Sequence, residues 1–166
     1  MKIKNFRKNF FINSLIIVLI FLLDRISKIY VINLDKKFFG SEIFSSKYLN
    51  IILVWNEGIA FGLFSSSNEY WYNFLTIVIV LIAIVILIMS IRENGAQRYF
   101  FLIVFGGALG NLYDRIFFKA VPDFLDLHVG NFHWFIFNIA DIFITFGVIM
   151  LILWEALPLN KNYEKK

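Results

Sequence analysis

Long apolar stretches separated by short polar segments dominate the pattern of this 166-residue chain. Four windows are long and apolar enough for membrane helices, which need about 20 residues to cross a ~30 Å hydrocarbon core. The pattern therefore predicts an all-α integral membrane protein with helices at about 9–33, 71–91, 99–118 and 135–157. The window from Trp71 to Ile91 has no charged residue, whereas a few charges interrupt each of the others.

Composition agrees with this pattern. The chain is 60% hydrophobic with a mean hydropathy of +0.74, whereas soluble domains are nearer half apolar. We predict a single membrane domain over residues 1–166, without a separate soluble domain. The sequence has no cysteine, which excludes disulfides and thiolate catalysis. His128 and His133 are expected to be interfacial polar residues, and we predict neither a metal site nor a cofactor.

The N-terminus resembles a secretory signal, because basic residues precede an apolar run. Asp24 and Arg25 follow that run in place of small residues and a cleavage site. We therefore expect a retained first helix.

The distribution of Lys and Arg predicts the orientation in the membrane. Residues 1–8, 92–98 and 155–166 hold nine of these residues in 27 positions. Segments 34–70 and 118–134 hold four in 54 positions. Because basic residues mark the cytoplasmic side of short loops, both termini are expected in the cytoplasm. The net charge of +4 reflects this bias, and we expect no nucleic-acid partner.

Carboxylates on three predicted helices fall at a similar depth. At about 1.5 Å per residue, Asp24, Asp114 and Asp141 each lie roughly 21–22 Å from the cytoplasmic edge. We expect them to form a polar layer near the extracytoplasmic face. Asp123, just beyond the third helix, can fold back to the same level.

The segments outside the helices, about 34–70 and 119–134, are predicted to be extracytoplasmic. Residues 48–64 indicate two short strands around a turn. Residues 121–129 also look extended, and Pro122 prevents the third helix from continuing. Residues 36–47 are expected to lie at the membrane interface. The extended segments should together form a small sheet that covers the polar layer.

Several polar side chains share predicted helix faces. Asp24 and Lys28 are one turn apart, which favours a self-neutralising pair over a direct catalytic role. Positions 111, 114 and 115 are expected to project an amide, a carboxylate and a guanidinium together. On that face, Arg115 would either neutralise a carboxylate or hold a carbonyl group of the substrate. Asn138 and Asp141 form a similar pair, whereas Gly106, Gly107 and Gly110 indicate close helix packing.

Asp123 and Asp141 carry the main functional hypothesis. An ionisable group inside a membrane helix indicates a functional site, and two close carboxylates suit acid–base catalysis. One alternative is a small proton- or ion-coupled transporter that uses Asp24, Asp114 and Asp141 as relay sites. Another is a non-enzymatic assembly factor, which would not need Asp123 outside the helices.

Five motifs spread over nearly the whole chain resemble those of the lipoprotein signal peptidase family (signal peptidase II). They occur in the family's order: Asp24-x-x-Ser27-Lys28, Asn56-x-Gly58-x-Ala60-Phe61, Gly106-Gly107-x-x-Gly110-Asn111-x-x-Asp114-Arg115, Val121-x-Asp123-Phe124 and Phe137-Asn138-x-Ala140-Asp141.

The resemblance implies a bacterial inner-membrane aspartic endopeptidase with four membrane helices, an extracytoplasmic β-cradle and a short interfacial helix. Its substrates would be diacylglyceryl-modified prolipoproteins, cut just before the lipid-bearing cysteine. It also implies three sets of residue roles: Asp123 and Asp141 as catalytic residues; Asn56, Asn111, Arg115 and Asn138 as substrate-binding polar residues; and Asp24, Lys28 and Asp114 as structural polar residues. Membrane lipids are expected partners, and the protein is expected to be a monomer.

Overall fold

The structure is a computed structural model that describes residues 2–58 and 69–157. The described residues form four α-helices: α1 (Lys2–Phe38), α2 (Glu69–Arg92), α3 (Gly95–Phe118) and α4 (Ile139–Ala156). They also form four strands: β1 (Phe44–Ser45), β2 (Leu49–Asn56), β3 (Val121–Val129) and β4 (Phe132–Phe137).

Three helices are long and apolar enough to cross a membrane: Tyr70–Arg92, Gly95–Phe118 and Ile139–Ala156. The remaining helix, α1, has 37 residues and is therefore about 55 Å long. Its middle carries Asp24, Arg25 and Lys28, which lowers its hydropathy. These three side chains are buried inside the protein, whereas Leu22, Leu23 and other apolar side chains around them are exposed on its surface.

Helix α3 lies at the centre and contacts each of the other three helices. Glycines allow this close approach, as the sequence predicted. A Cβ atom on Gly106 would lie 3.0 Å from Cβ of Ile20 in α1. A Cβ atom on Gly107 would lie 2.6 Å from the backbone oxygen of Ala140 in α4. Side chains at these positions would push the helices apart.

The strands form one antiparallel sheet in the order β1-β2-β3-β4. Strand β3 confirms the extended segment predicted at residues 121–129. Strand β2 confirms the first of the two strands predicted within residues 48–64. Most of the predicted second strand lies outside the described residues. The sheet is joined directly to the helices, because β3 follows α3 closely and β4 leads into α4 through Asn138.

Several helix boundaries differ from the predicted ones. Helix α4 begins at Ile139 and not at 135, because residues 135–137 complete β4. A short apolar run is compatible with either a strand or a helix, which explains the error. Helix α1 extends past 33 to Phe38, and then a turn with positive φ at Phe39 and Gly40 leads towards β1. Described residues 39–58 and 119–138 form strands and turns, and the expected interfacial helix stays a prediction for segment 34–70, whose residues 59–68 lie outside the described part of the chain.

Candidate active site

One small pocket lies where the sheet meets α3 and α4. Its empty volume is about 210 Å³. Six polar residues selected from the sequence line it together with one valine: Asn56, Asn111, Arg115, Val121, Asp123, Asn138 and Asp141. They come from β2, α3, β3, Asn138 and the first turn of α4, so the fold brings together residues up to 85 positions apart.

Asp123 is held in β3, where it lies opposite Val54 of β2. The residue is only 4% exposed. Its Oδ1 atom accepts a hydrogen bond of 2.6 Å from Asn138 Nδ2, and its Oδ2 atom accepts one of 2.9 Å from Asn56 Nδ2. Burial, followed by the negative charge of Asp141, raises the pKa of Asp123 to about 6, although the two amide donors oppose this rise.

Asp141 lies in the first turn of α4 and takes part in a capping box with Asn138. Its Oδ2 atom accepts from the backbone N–H of Asn138 at 3.1 Å, and its backbone N–H donates to Asn138 Oδ1 at 3.1 Å. Its Oδ1 atom accepts from Asn111 Nδ2 at 2.8 Å. A carboxylate is favourable here because the N-terminus of a helix carries partial positive charge. The local sequence Asn138-x-x-Asp141 thus both starts the helix and orients the carboxylate.

Asn138 contacts both aspartates and is fully buried. With Asn56 and Asn111, it supplies an amide donor to each of the four carboxylate oxygens. These donors fix the position of both carboxylates, since each oxygen has a directional partner. The pair has the chemistry of a site that can hold and transfer protons.

Arg115 lines the same pocket and is 5% exposed. Its Nη2 atom donates to the backbone oxygen of Gly58, while Tyr72 Oη donates to the backbone oxygen of Arg115 at 3.0 Å. Its Nη1 atom is buried and has no hydrogen-bond partner within the described parts of the chain. The observed side-chain contact is with a carbonyl group and not with a carboxylate.

A second cluster of charges joins α1 to α3 and adjoins the pocket, because Lys28 contacts the pocket residue Asn111. Lys28 Nζ lies 2.9 Å from Asp24 Oδ2 and 2.7 Å from Asp114 Oδ2. Arg25 Nη2 donates to Asp114 Oδ2 at 2.7 Å. Asp24 Oδ1 also accepts from the backbone N–H of Ala140 in α4 at 3.1 Å. The predicted convergence of the carboxylates from three helices is therefore confirmed.

One geometric expectation for α3 was wrong. Asp114 and Arg115 do not project together, because Asp114 turns towards α1 and Arg115 towards Gly58 and Tyr72. Adjacent helical residues are separated by about 100° around the axis, so they reach different neighbours. Of the three residues grouped on that face, Asn111 and Arg115 reach the pocket and Asp114 belongs to the charge cluster.

A polar cluster that was not predicted from the sequence crosses all four strands. Asp126 is 5% exposed and contacts Asn50 Nδ2 at 3.3 Å and His133 Nδ1 at 2.8 Å. Asn50 also contacts Ser45 Oγ at 2.8 Å and His128 Nε2 at 3.1 Å. Since Asp126 is an odd number of positions from Asp123 in β3, the two carboxylates point to opposite faces. No group of three or more potential ligands with metal-binding geometry occurs among the described residues.

Comparisons with known proteins find relatives over most of the chain. The profile of the family described as signal peptidase (SPase) II matches residues 16–157. A lipoprotein signal peptidase of Pelagibacter ubique (strain HTCC1062) is 50% identical over 159 residues, covering 96% of each chain. One from Anaplasma phagocytophilum (strain HZ) is 42% identical over 148 residues, covering 87% of this chain and 91% of the relative.

Solved structures show the same fold. A bacterial membrane enzyme at 1.9 Å resolution is 31% identical with a TM-score of 0.73, covering 88% of this chain and 93% of the other. Another at 2.3 Å resolution is 29% identical with a TM-score of 0.67, covering 93% and 91%. Together with the family match over most of the chain, these similarities show that this multi-pass membrane protein belongs to the signal peptidase II family of proteases.

Proposed function

We propose that this chain is an aspartic endopeptidase that removes the signal peptide from diacylglyceryl-modified prolipoproteins. It cleaves just before the lipid-bearing cysteine, with Asp123 and Asp141 as catalytic residues. The observation that carries the proposal is the pocket that both carboxylates line with four other polar side chains. The relatives named lipoprotein signal peptidase support the substrate class.

Hydrolysis by this pair requires one shared proton. The ionised carboxylate removes a proton from water, and the oxygen of that water attacks the scissile carbonyl carbon. The protonated carboxyl group donates a hydrogen bond to the carbonyl oxygen. Collapse of the resulting tetrahedral intermediate breaks the C–N bond, and the leaving amine takes up a proton from the pair. The raised pKa of Asp123 supports this scheme, because it keeps a proton available close to neutral pH.

The other polar residues of the pocket orient the reacting groups. Asn56, Asn111 and Asn138 hold the two carboxylates through their amide N–H groups. Arg115 lines the pocket and binds a carbonyl group of the substrate through guanidinium donors that Gly58 does not use.

Asp24, Lys28 and Asp114 are mainly structural. They form a neutral cluster with Arg25, which allows ionised side chains to be buried between α1 and α3. A buried charge is tolerated only when it is paired and hydrogen-bonded.

All four helices cross the membrane in this proposal. The charges of α1 are buried against α3, while apolar side chains such as Leu22 and Ile26 are exposed to lipid. The termini and the connection between α2 and α3 are cytoplasmic, and the sheet and the pocket lie at the extracytoplasmic face of a bacterial inner membrane. The chain acts as a monomer and a single domain in contact with membrane lipids.

The transporter alternative lacks a conduction path in the described part of the chain. The buried ionisable side chains of α1 and α3 gather at one level, and α2 contains no charge between Tyr70 and Ile91. A relay would need polar groups along the whole crossing. The assembly-factor alternative does not explain why a separate strand buries a carboxylate beside Asp141.

The proposal is tested by cleavage of a lipidated prolipoprotein peptide with purified protein in lipid vesicles. We expect cleavage just before the lipid-bearing cysteine, undiminished by a metal chelator. The matched control is the same peptide with an unmodified cysteine, which should remain uncut. Activity lost with chelator and restored by zinc would contradict the mechanism, and no cleavage of the lipidated peptide would contradict the function.

Orientation has its own test, which the cysteine-free sequence makes simple. A single cysteine at Gly95 should resist an impermeant thiol reagent in intact cells, whereas one at Gly130 in the β3–β4 turn should react. Labelling at 95 in intact cells would reverse the proposed topology.

A further inference from the structure

Lys28 makes one contact that its place in the charge cluster does not require. Its side chain is fully buried, and Nζ contacts Asp24 Oδ2 at 2.9 Å and Asp114 Oδ2 at 2.7 Å. The third contact is with Asn111 Oδ1 at 2.9 Å. A lysine ammonium has three N–H donors and no acceptor, so the three contacts account for all its donors.

This third contact determines the orientation of the Asn111 side chain. The two ends of an asparagine amide differ, because the oxygen accepts hydrogen bonds and the nitrogen donates them. An ammonium group can pair only with the oxygen. The nitrogen of Asn111 therefore points the other way, where it donates to Asp141 Oδ1 at 2.8 Å. The reversed amide would place N–H groups against Lys28 and an oxygen against a carboxylate, which is unfavourable at both ends.

The other two asparagines of the pocket are oriented by the backbone. Asn56 Oδ1 accepts from the N–H of Gly58 at 2.9 Å, and Asn138 Oδ1 accepts from the N–H of Asp141 at 3.1 Å. Asn111 lies in the middle of α3, where neighbouring backbone N–H groups are used by the helix itself. A side chain from another helix must then supply the donor, and Lys28 of α1 does so.

We propose that Lys28 is a positioning residue for catalysis, in addition to its structural role. By fixing the amide of Asn111, it ensures that a hydrogen-bond donor always faces Asp141. The inference rests on the proposed function, since it concerns the activity of that carboxylate. This role distinguishes Lys28 from Arg25, which neutralises the same cluster through hydrogen bonds to Asp24 and Asp114 but, among the described residues, makes no hydrogen bond to Asn111.

Arg25 therefore provides a matched control for a double-mutant cycle. We would measure kcat, KM and Tm for Lys28→Met and Arg25→Met, each alone and combined with Asn111→Ala, on the lipidated peptide. Both substitutions remove one cation from the same cluster, but only Lys28→Met removes the partner of Asn111. The cycle reports whether two residues act through one another.

We expect Lys28→Met to lower kcat about tenfold to a hundredfold with little change in KM, as for loss of one hydrogen bond to a charged group. In the Asn111→Ala background, it should lower kcat no further. Any effect of Arg25→Met on kcat should be the same in both backgrounds. Equal fold-losses from Lys28→Met with and without Asn111 would overturn the proposal.

A charge-balanced variant covers the case in which Lys28→Met does not fold. Lys28→Met with Asp114→Asn removes one cation and one anion, and Arg25→Met with Asp114→Asn is its control. If both Lys28 variants fail to fold while both Arg25 variants fold, Lys28 serves the fold alone and the proposal is wrong. Absence of cleavage by the unaltered protein would instead overturn the proposed function and this role with it.

Discussion

Asn138 donates its side-chain amide to Asp123 at 2.6 Å, across the junction between the sheet and α4. The oxygen of the same amide accepts from the backbone N–H of Asp141 and so caps the helix. One residue therefore determines where α4 begins and how the two carboxylates lie relative to each other. Local helix-capping chemistry, which is encoded within four residues, thereby builds part of a site whose other members are distant in sequence.

Asp123→Asn and Asp141→Asn should each lower cleavage by at least about a hundredfold, because proton transfer by a positioned side chain contributes on that order or more. Each substitution removes a carboxylate but retains a side chain of similar size. Both variants should still insert into the membrane, which expression level and Tm would check. Near-normal turnover by either one would remove that residue from the catalytic pair.

Asp126→Asn is the matched control for Asp123→Asn. Both residues are buried in β3, but Asp126 points to the opposite face and contacts Asn50 and His133. This variant should retain most of the cleavage rate but have a lower Tm, since the substitution weakens the polar cluster that links the strands. If it lost activity as completely as Asp123→Asn, the effect at position 123 would reflect the integrity of the sheet.

The apolar windows predicted the helices, and the equal depth of Asp24, Asp114 and Asp141 in those helices predicted that the three carboxylates converge. This works because a charged side chain within a membrane must be buried next to other polar groups. They did not predict the cluster around Asp126. That cluster depends on strand pairing, in which Asn50 lies opposite Asp126 and His133 lies opposite His128. Pairing between strands distant in sequence has no local signal, and a bulge in each pairing alters which residues meet.

Depth and helix-face spacing indicate most of the site residues, the resemblance to the signal peptidase II family implies their roles, and the structure adds their hydrogen bonds. Arg25 was missed because it adjoins the motif positions Asp24 and Lys28 without being one of them. Its contact with Asp114 joins two helices, which the spacing within α1 does not reveal. The start of α4 was also missed, because Phe135, Ile136 and Phe137 continue an apolar run whose character does not distinguish strand from helix.

Arg115→Lys should lower kcat/KM about tenfold to a hundredfold while the protein stays folded. The three donors of a lysine share one nitrogen, whereas the planar guanidinium group has donors on separate nitrogens that can reach the Gly58 carbonyl and a substrate carbonyl in fixed directions. The expected loss corresponds to one hydrogen bond to a charged group, about 1.5–3 kcal/mol. Tyr72→Phe is a useful comparison, because it removes the hydroxyl that donates to the Arg115 backbone oxygen and leaves the guanidinium group in place. Full activity of Arg115→Lys would show that position 115 supplies charge alone.

Gly110→Ala should sharply lower the Tm and the level of folded protein. A Cβ atom at this position would lie 2.4 Å from Oδ2 and 2.9 Å from Cγ of Asp24. Asp24 cannot easily move, because Lys28 and the Ala140 N–H hold its two oxygens. Breaking such a buried pair costs about 3–5 kcal/mol, which exceeds the gain of about 1 kcal/mol in helix propensity.

Asp24→Ser removes the atoms with which that new methyl group would collide. The double variant with Gly110→Ala should therefore be no less stable than Asp24→Ser alone, as thermal unfolding in detergent would show. Additive losses in Tm would mean that the two residues do not collide and that Gly110 is needed for another reason.

Protein stability should fall as the pH rises through the titration of Asp123. The pKa of this group is about 6 in the folded protein, against an ordinary value of 3.8. Between these two pKa values the folded state binds more protons than the unfolded state. The stabilising contribution of Asp123 to the free energy of unfolding is therefore fully present below about pH 3.8 and is lost as the pH rises through about 6. The full difference corresponds to about 3 kcal/mol. Unfolding measured from pH 4 to pH 7 should show this decline in the unaltered protein and a weaker decline in Asp123→Asn.

The same titration should limit catalysis on its alkaline side. The charge of Asp141 contributes to the raised pKa of Asp123, so the proton that Asp123 releases near pH 6 is shared with the neighbouring carboxylate. Above that pH Asp123 is mostly ionised and cannot donate to the scissile carbonyl or to the leaving amine. We therefore expect kcat/KM to fall as the pH rises through about 6. The alkaline limb of kcat should lie higher, because bound substrate excludes water and further disfavours the doubly ionised pair. Rates measured from pH 4 to pH 9 on the lipidated peptide would test this. A kcat/KM that stays constant or increases from pH 5 to pH 9 would show that no shared proton is required and that Asp123 acts only in its ionised form.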